Sequence, residues 1–500
     1  MHKLNNFFLI PKFIKMFNFK KATIYPVILS ILFNFGLTGC RKKEAPPPQE
    51  SYEGIELTYY KVFDDSDIIE PMIAQYEADH PGLEIHYKKF SDFNEYQRTI
   101  LNEMAEGEGP DIFSMQNTWF TSNYRKLMPM PETLGDPSAF EATFVNVAYD
   151  DLVRTDENGI ESVYGLPMTV DTLALYYNEN HFEDRIPERG RPSNTWEGIK
   201  EDVVLLNKED NSFDRFEVSG IAMGRADNID RAVDILYLLF LQYGVDFYNE
   251  NISEAIFAGQ QGGEFAYPAL EALDFYTGFA DPDQKHYSWN EFTADDDSEY
   301  KEIESFAGGD VSMIIGYAYT YDIILEAIDS LDSKGFKTID KDSIRIASVP
   351  QLYDPAVSSE KRVTYASYFA ETVSRTTEYP DLAWDFLIFM TSKENLDYYF
   401  EKTNNPTSRR DMIQDQEKDP IYGVFASQIG YAESFPILDY YTYKDIFSEV
   451  VSRANIEGTA RSDLVYAQDQ INLMIPEEGI LVPEAEIEET EEEKTEEDEE

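Results

Sequence analysis

One thiol, five imidazoles and 96 carboxylates are the groups in this 500-residue chain that could do covalent, metal or acid–base chemistry. The thiol, Cys40, stands alone, so no disulfide forms within the chain. His2, His80, His86, His181 and His286 show no metal-ligand spacing. His-Glu-x-x-His, Gly-x-Ser-x-Gly and a phosphate-binding loop are all missing. With so many acids, carboxylate pairs can be drawn anywhere, so their number does not argue for a glycoside hydrolase. Asp295-Asp296-Asp297 and Asp156-Glu157-Asn158-Gly159 lack the alternation and closing glutamate of an EF-hand. The residues therefore predict no catalysis, no metal and no cofactor. What remains is non-covalent. The chain has 34 Tyr and 33 Phe, and flat rings cover the C–H faces of a polyhydroxylated ligand while Asp, Asn, Gln and Arg bond its hydroxyls.

Candidates for these roles stand after predicted strands and in the motif-bearing segments described below. Gln116 and Asn117 precede Trp119, two amides beside a ring. Tyr317 and Tyr319 flank Ala318 after a glycine, and Tyr365, Ser367 and Tyr368 form a second aromatic and hydroxyl group. Asp171 and Arg409 are single charges in Pro-containing segments. Each has a plainer reading: core packing for the rings, a solvated bend for Asp171, a turn for Arg409.

The elements that must position these residues can be read from periodicity. Ile55 to Tyr60 alternates like a strand, and Ile68, Ile69, Met72, Ile73 and Tyr76 share a helical face broken at Pro81-Gly82. Leu83, Ile85 and Tyr87 alternate again. Asp92 and Glu95 have capping-box spacing ahead of a helix faced by Tyr96, Ile100, Leu101 and Met104. Gly107 to Pro110 ends it, and Asp111 to Met115 reads as a third strand. This βαβαβ order predicts a largely parallel sheet, with ligands at the carboxyl ends of the strands, at Lys61 to Asp65 and at Gln116, Asn117 and Trp119. Val311 to Ile315 reads as a strand that ends at Tyr317 and Tyr319.

The chain's two ends read differently from its body. Lys3, Lys12, Lys15, Lys20 and Lys21, with no acid before Cys40, precede an apolar stretch from Ala22 to Phe35 that is short for a membrane span. Leu37-Thr38-Gly39-Cys40 resembles the bacterial lipobox, which implies a signal peptide over 1–39 and a diacylglyceryl group on Cys40, holding the protein on the extracytoplasmic face of the cell membrane. Residues 40–52, with Pro46 to Pro48, read as a tether. From 476 to 500 the chain is an acidic tail, read as disordered. The tail's fourteen acids are far too few to account for the net charge of −55, so the body is acidic too, which argues against nucleic acid as a partner. A body of this size predicts two lobes.

The body carries a series of ordered motifs. Tyr76, Pro81 and Gly82 fit Phe-x-x-Tyr-x-x-x-x-Pro-Gly-Leu-Glu-Ile, and Ala105 to Ile112 fits small-x-Gly-x-Gly-Pro-Asp-Ile/Val. Tyr164 to Asn178 follows, then Pro192 with Thr195-Trp196-Glu197, Gly220 to Ala222, Phe306 to Met313, Ala383 to Leu387 and Asn404 to Arg409. From about residue 55 to 475 this set resembles the family 1 extracellular solute-binding proteins, the maltose-binding-protein-like group. The resemblance implies an α/β, two-lobed periplasmic-binding-protein-like fold with hinge crossings over 53–475. Lobe I would hold about 53–168 and 350–405, and lobe II about 173–345 and 410–475. It implies capture of a small ligand, a carbohydrate such as an oligosaccharide, by hinge closure and delivery to the permease subunits of an ABC importer. Asp171 stands where the similar segment has a ligand-bonding carboxylate, and Tyr319, with Tyr317, stands where relatives stack rings on sugar. Tyr59-Tyr60 replaces the family's Phe-Trp, which weakens transfer of any one sugar specificity. A structural or adhesive surface lipoprotein with the same fold is the alternative, and after it a glycoside hydrolase.

Overall fold

The computed structural model describes residues 52–156, 159–210, 215–293, 301–358, 361–476 and 479–481. The signal segment, Cys40 and most of the expected tether and acidic tail lie outside the described residues. The described residues form one compact unit, and within it the buried apolar side chains gather into two separate cores.

The first core is built on the βαβαβ order. Strand β1 (Ile55–Val62) is followed by helix α1 (Ser66–Asp79), which buries Ile69, Met72, Ile73 and Tyr76 on one face. Strand β2 (Leu83–Phe90) runs parallel to β1 in register from Ile55 opposite Leu83 to Val62 opposite Phe90. Helix α2 (Phe93–Glu106) starts where the Asp92 side chain accepts the Glu95 N–H at 2.7 Å. It ends at Gly107, whose φ of 77° suits a residue without Cβ and turns its N–H back onto the last carbonyls. Strand β3 (Ile112–Gln116) is buried along its whole length.

Next come β4 (Leu166–Pro167), β5 (Asp171–Thr172) and β6 (Ala174–Asn178), the passage from one core to the other. Around β6 the second core collects helix α3 (Ala232–Gln242), strand β7 (Met313–Gly316), helix α4 (Thr320–Ser333) and strand β8 (Ile344–Ser348). Both β7 and β8 pair antiparallel to β6. The chain then returns through β9 (Thr364–Ser367) to β10 (Phe369–Val373), and crosses again at β11 (Ala432–Glu433) into helix α5 (Tyr440–Glu457).

The first sheet has the order β2-β1-β3-β10-β4. Its β1, β2 and β3 strands are parallel as expected, whereas β10 is antiparallel to β3, with Phe369 opposite Gln116 and Val373 opposite Ile112. The reason is entry direction: β10 arrives from the other core and joins the sheet from the end where β1 and β3 finish. Gly165 allows the close approach of β4 to β10, since a Cβ there would stand 3.2 Å from that of Ala370.

A small sheet, β11-β9-β5, carries the crossings. Ala366 pairs with Thr172 and Tyr365 with Glu433. Core membership switches along these strands. Val170 belongs to the first core and Leu173 to the second, Tyr365 to the second and Ala366 to the first. The segment from 410, expected to lie wholly in lobe II, divides: Met412, Ile429 and Ala432 pack in the first core, while Tyr422, Phe425 and Phe435 pack in the second. The third crossing strand drags its flanks toward whichever core is nearer. Among the described residues no helix is long and apolar enough to cross a membrane.

Candidate functional site

Two aromatic groups face the region where the cores adjoin. On the second core, β7 ends in a turn that stacks Tyr317 and Tyr319, ring centres 5.7 Å apart and planes 24° from parallel. Tyr317 is buried, its hydroxyl donating to Asp234 at 3.2 Å, whereas Tyr319 is 39% exposed. The Tyr176 hydroxyl holds the turn by donating to the Tyr317 carbonyl at 2.6 Å. The Arg231 guanidinium lies 5.9 Å from the Tyr317 ring and 5.6 Å from that of Tyr319, within cation–π range. Asp230, 3.0 Å from Arg231 Nε, also lies 3.8 Å from Lys444 Nζ.

Asp171 fastens the first crossing to this turn. Its carboxylate accepts the Thr172 N–H at 2.8 Å and the Ala318 N–H at 3.0 Å. Burial pushes its carboxyl up to about 7, against the two backbone hydrogen bonds and the more distant Arg231 charge, which favour the anion. Burial likewise pushes Asp234 up, with Arg231 opposing. The platform thus combines rings with carboxyl and guanidinium groups, the partners a polyhydroxylated ligand needs.

On the first core, Phe63 follows the carboxyl end of β1, Phe93 that of β2, and Phe369 pairs with Gln116 at that of β3. Phe63 and Phe369 meet edge to face at 6.2 Å, and Phe369 and Phe93 at 5.7 Å. Phe93, the first residue of α2, reaches the first residues of α5, its ring 6.5 Å from Tyr440 and 6.1 Å from Tyr441. Tyr440 in turn lies in the field of Asp234, which with burial pushes its phenol up. The ring contacts thus run from Phe63 to the start of α5. Beneath Phe63, Lys61 is buried against Glu371 and stands 3.2 Å from Asp64, while Ser114 donates to Glu371 at 2.8 Å. Burial alone would lower the Lys61 ammonium; the two carboxylates outweigh it and hold it raised.

The residues singled out from sequence separate into two sets. Tyr317, Tyr319 and Asp171 come together at the platform, and Gln116 ends β3 beside Phe369. Its Nε2 donates to Ser367 Oγ at 3.4 Å, and its Oε1 is buried without a partner. The others are committed elsewhere. Trp119 is 5% exposed inside the first core, so no face is open to a ligand. Tyr365 packs in the second core, 5.8 Å from Tyr237. Asn117 pairs with the backbone of Tyr368 in both directions, and both side chains converge on Asp151, at 3.0 Å from Asn117 Nδ2 and 2.8 Å from the Tyr368 hydroxyl. Ser434 adds a third bond to Asp151 at 2.6 Å. Arg409 grips Asp411 through two nitrogens at 2.9 and 3.2 Å and the Thr391 carbonyl at 3.1 Å, the geometry of a turn.

Phe63 lies in the Lys61 to Asp65 stretch read from sequence as a ligand-facing strand end, whereas Arg231, Asp230, Asp234, Phe93, Phe369 and Tyr440 were missed. An acid interrupting the apolar run of α3 was the one available signal, at Asp234. Sequence reasoning also missed an exposed cross-strand group, Glu56, Glu84 and His86, whose ligand atoms lie within 4.8 Å of one another, because only the β1–β2 register brings it together. Exposed acids of this kind imply no ion by themselves.

A family model described as bacterial extracellular solute-binding protein matches residues 71–423, more than half of the chain. The chain belongs to this family. The solute-binding protein also shares its fold with solved structures. One is the sugar-binding protein MalE of Xanthomonas citri, at 14% identity and a TM-score of 0.66, covering 84% of this chain and 97% of that one. Another is Lmo0181 of Listeria monocytogenes in complex with cycloalternan, at 18% identity and 0.61, covering 84% and 98%. A third is a Thermotoga lettingae solute-binding protein bound with α-D-tagatose, at 19% identity and 0.57, covering 84% and 99%. No curated protein matches the chain by sequence. As a solute-binding protein it is an extracytoplasmic binding module with two lobes, and of the groups described above Asp171 lies on a crossing strand.

Proposed function

We propose that this protein captures a neutral carbohydrate between its lobes and delivers it to the permease subunits of an ABC importer, held on the extracytoplasmic face of the membrane by acyl chains on Cys40. The observation that carries the reading is the Tyr317–Tyr319 stack: a buried ring supports a half-open one, beside carboxylates and an arginine, at the point where Asp171 ties the first crossing down. A sugar needs a flat apolar face rimmed by hydroxyl partners. The acids around Arg231 disfavour an anionic ligand. The three structural neighbours, two bound to sugars and one named as a sugar-binding protein, support the same reading. From the original set we assign Tyr319 and Gln116 as contacts, with Tyr317 and Asp171 holding the platform in place. The ordered switch of core membership at 170–173, 365–366 and 432–435 supports three hinge crossings. In this role the chain binds and releases its ligand unchanged.

The test is calorimetric titration of the chain from Ser51 with neutral oligosaccharides, peptides and anions, together with scattering. Saturable binding of a sugar with a fall in radius of gyration is expected. Product formation from the sugar would make the chain an enzyme, and binding of none of these ligands would favour a structural surface lipoprotein. Cys40→Ser should release the protein from the membrane fraction; retention there would sink the lipid anchor.

A further inference from the structure

Among the described residues, three non-glycine residues adopt positive φ: Phe63, Ile252 and Asn404. Asn404 closes a helix and Ile252 is buried. Phe63 does neither. Its φ is 72°, the Asp64 N–H donates to the Val62 carbonyl at 3.0 Å across it, and its ring is 54% exposed. This is the three-residue γ-turn with the rare, strained sign of φ. Glycine would fit the turn without strain, so a phenylalanine here strains the backbone and leaves an apolar ring in water.

Such a turn persists only where its surroundings over-determine it, and here they do. The Phe63 N–H donates to the Phe90 carbonyl at 2.8 Å. The next residue, Asp64, receives the Tyr399 hydroxyl at 2.8 Å on each oxygen, receives that of Tyr87 on its carbonyl at 2.8 Å, and lies 3.2 Å from the buried Lys61. The cage holds the backbone so that the ring stands out beside Phe369. On the same face of the sheet, opposite Phe369 in the β3–β10 ladder, is Gln116, whose buried Oε1 has no hydrogen-bond partner. A buried acceptor without a donor is costly, and a ligand hydroxyl is the group that would satisfy it.

We infer that Phe63 is a ligand-contact and specificity residue on the first lobe: its presented ring covers the apolar face of one sugar unit while Gln116 Oε1 accepts a hydroxyl of the same ligand. The inference rests on the carbohydrate reading above and adds to it a second ring subsite, on the first core where Tyr319 stands on the second.

The experiment compares wild type with Phe63→Gly and Phe63→Tyr by calorimetry, using cycloalternan, a maltodextrin series and α-D-tagatose, and by thermal melting without sugar. Phe63→Gly should bind an oligosaccharide at least ten-fold more weakly, while its sugar-free melting temperature is equal to or above that of wild type, because strain is relieved and no buried contact is lost. Phe63→Tyr should keep the affinity within a few-fold. Equal oligosaccharide affinity for wild type and Phe63→Gly overturns the inference alone and leaves the carbohydrate reading intact. A lower melting temperature for Phe63→Gly also overturns it, by showing the ring to be structural. A wild type that binds none of these sugars overturns the carbohydrate reading, and the inference with it.

Discussion

The Asp171 carboxylate accepts the Ala318 N–H on both oxygens, at 3.2 and 3.0 Å, so that a crossing strand and the turn between two stacked tyrosines share one proton donor. The bond places a carboxyl titrating at about 7 at the joint of the two lobes.

The sign of the resulting pH dependence follows from linkage. Asp171 binds its proton more tightly when folded than at its unperturbed value of 3.8. The folded state therefore holds more protons between about pH 4 and 7, and stability falls as pH rises through that window, then levels. Glu302, which burial also pushes to about 7, adds a slope of the same sign. Asp171→Asn should flatten part of the decline and melt higher than wild type at pH 8, since an amide oxygen still accepts from Ala318. Melting curves from pH 4 to 8 test this; an unchanged slope would show that Asp171 does not titrate there.

Trp119 and Tyr319 should behave oppositely. Trp119→Ala empties a core site and should cost about 3–5 kcal/mol. Tyr319→Ala removes a half-exposed ring and should cost less than about 1 kcal/mol, yet weaken sugar binding ten-fold or more. Denaturant melts beside titrations separate the two. Similar stability losses would place Tyr319 in the core.

Asp151 gathers three donors from three segments, Asn117 at the end of β3, Tyr368 after the second crossing and Ser434 after the third. Removing one donor to a carboxylate, as in Tyr368→Phe, should cost about 1.5–3 kcal/mol. Tyr368→Phe combined with Ser434→Ala should lose less than the sum of the singles, because neighbours in one network couple. Sugar affinity at saturating stability should hardly move, which a ligand-contacting Tyr368 would contradict.

Lys61 and Glu371 form a buried pair. Lys61→Met leaves the Glu371 charge uncompensated and should destabilise by about 3–5 kcal/mol. Lys61→Met with Glu371→Leu should recover most of that loss. A double variant as unstable as the single would show that Ser114 and Asp64, not the pair itself, carry the effect.

Much of the framework was legible in the sequence because its signals are local. Hydrophobic period, the Asp92 cap and the Gly107 stop depend on residues within a few positions, and so β1 through β3 could be read directly. The ordered motifs extended that reading to a two-lobed fold. The antiparallel entry of β10 and the division of the 410–435 segment were not legible, since each depends on which core a distant strand reaches first.

The sequence by itself determined the kind of candidate site: rings with amides and carboxylates, placed where strands end, and no motif for a catalytic or metal centre. Only the tertiary structure decided which rings those are. Trp119 and Tyr319 both follow strands, yet one is closed inside a core and the other stays half-open, because exposure is set by what packs from elsewhere in the chain. Arg231 and Phe93 lie far in sequence from the residues they approach, and a one-dimensional pattern carries no signal for a contact made by folding two lobes around three crossings. Phe63 shows the same division. Its type was visible, but the positive φ that makes it a presented ring arises only when Tyr399, Tyr87 and Lys61 close around Asp64.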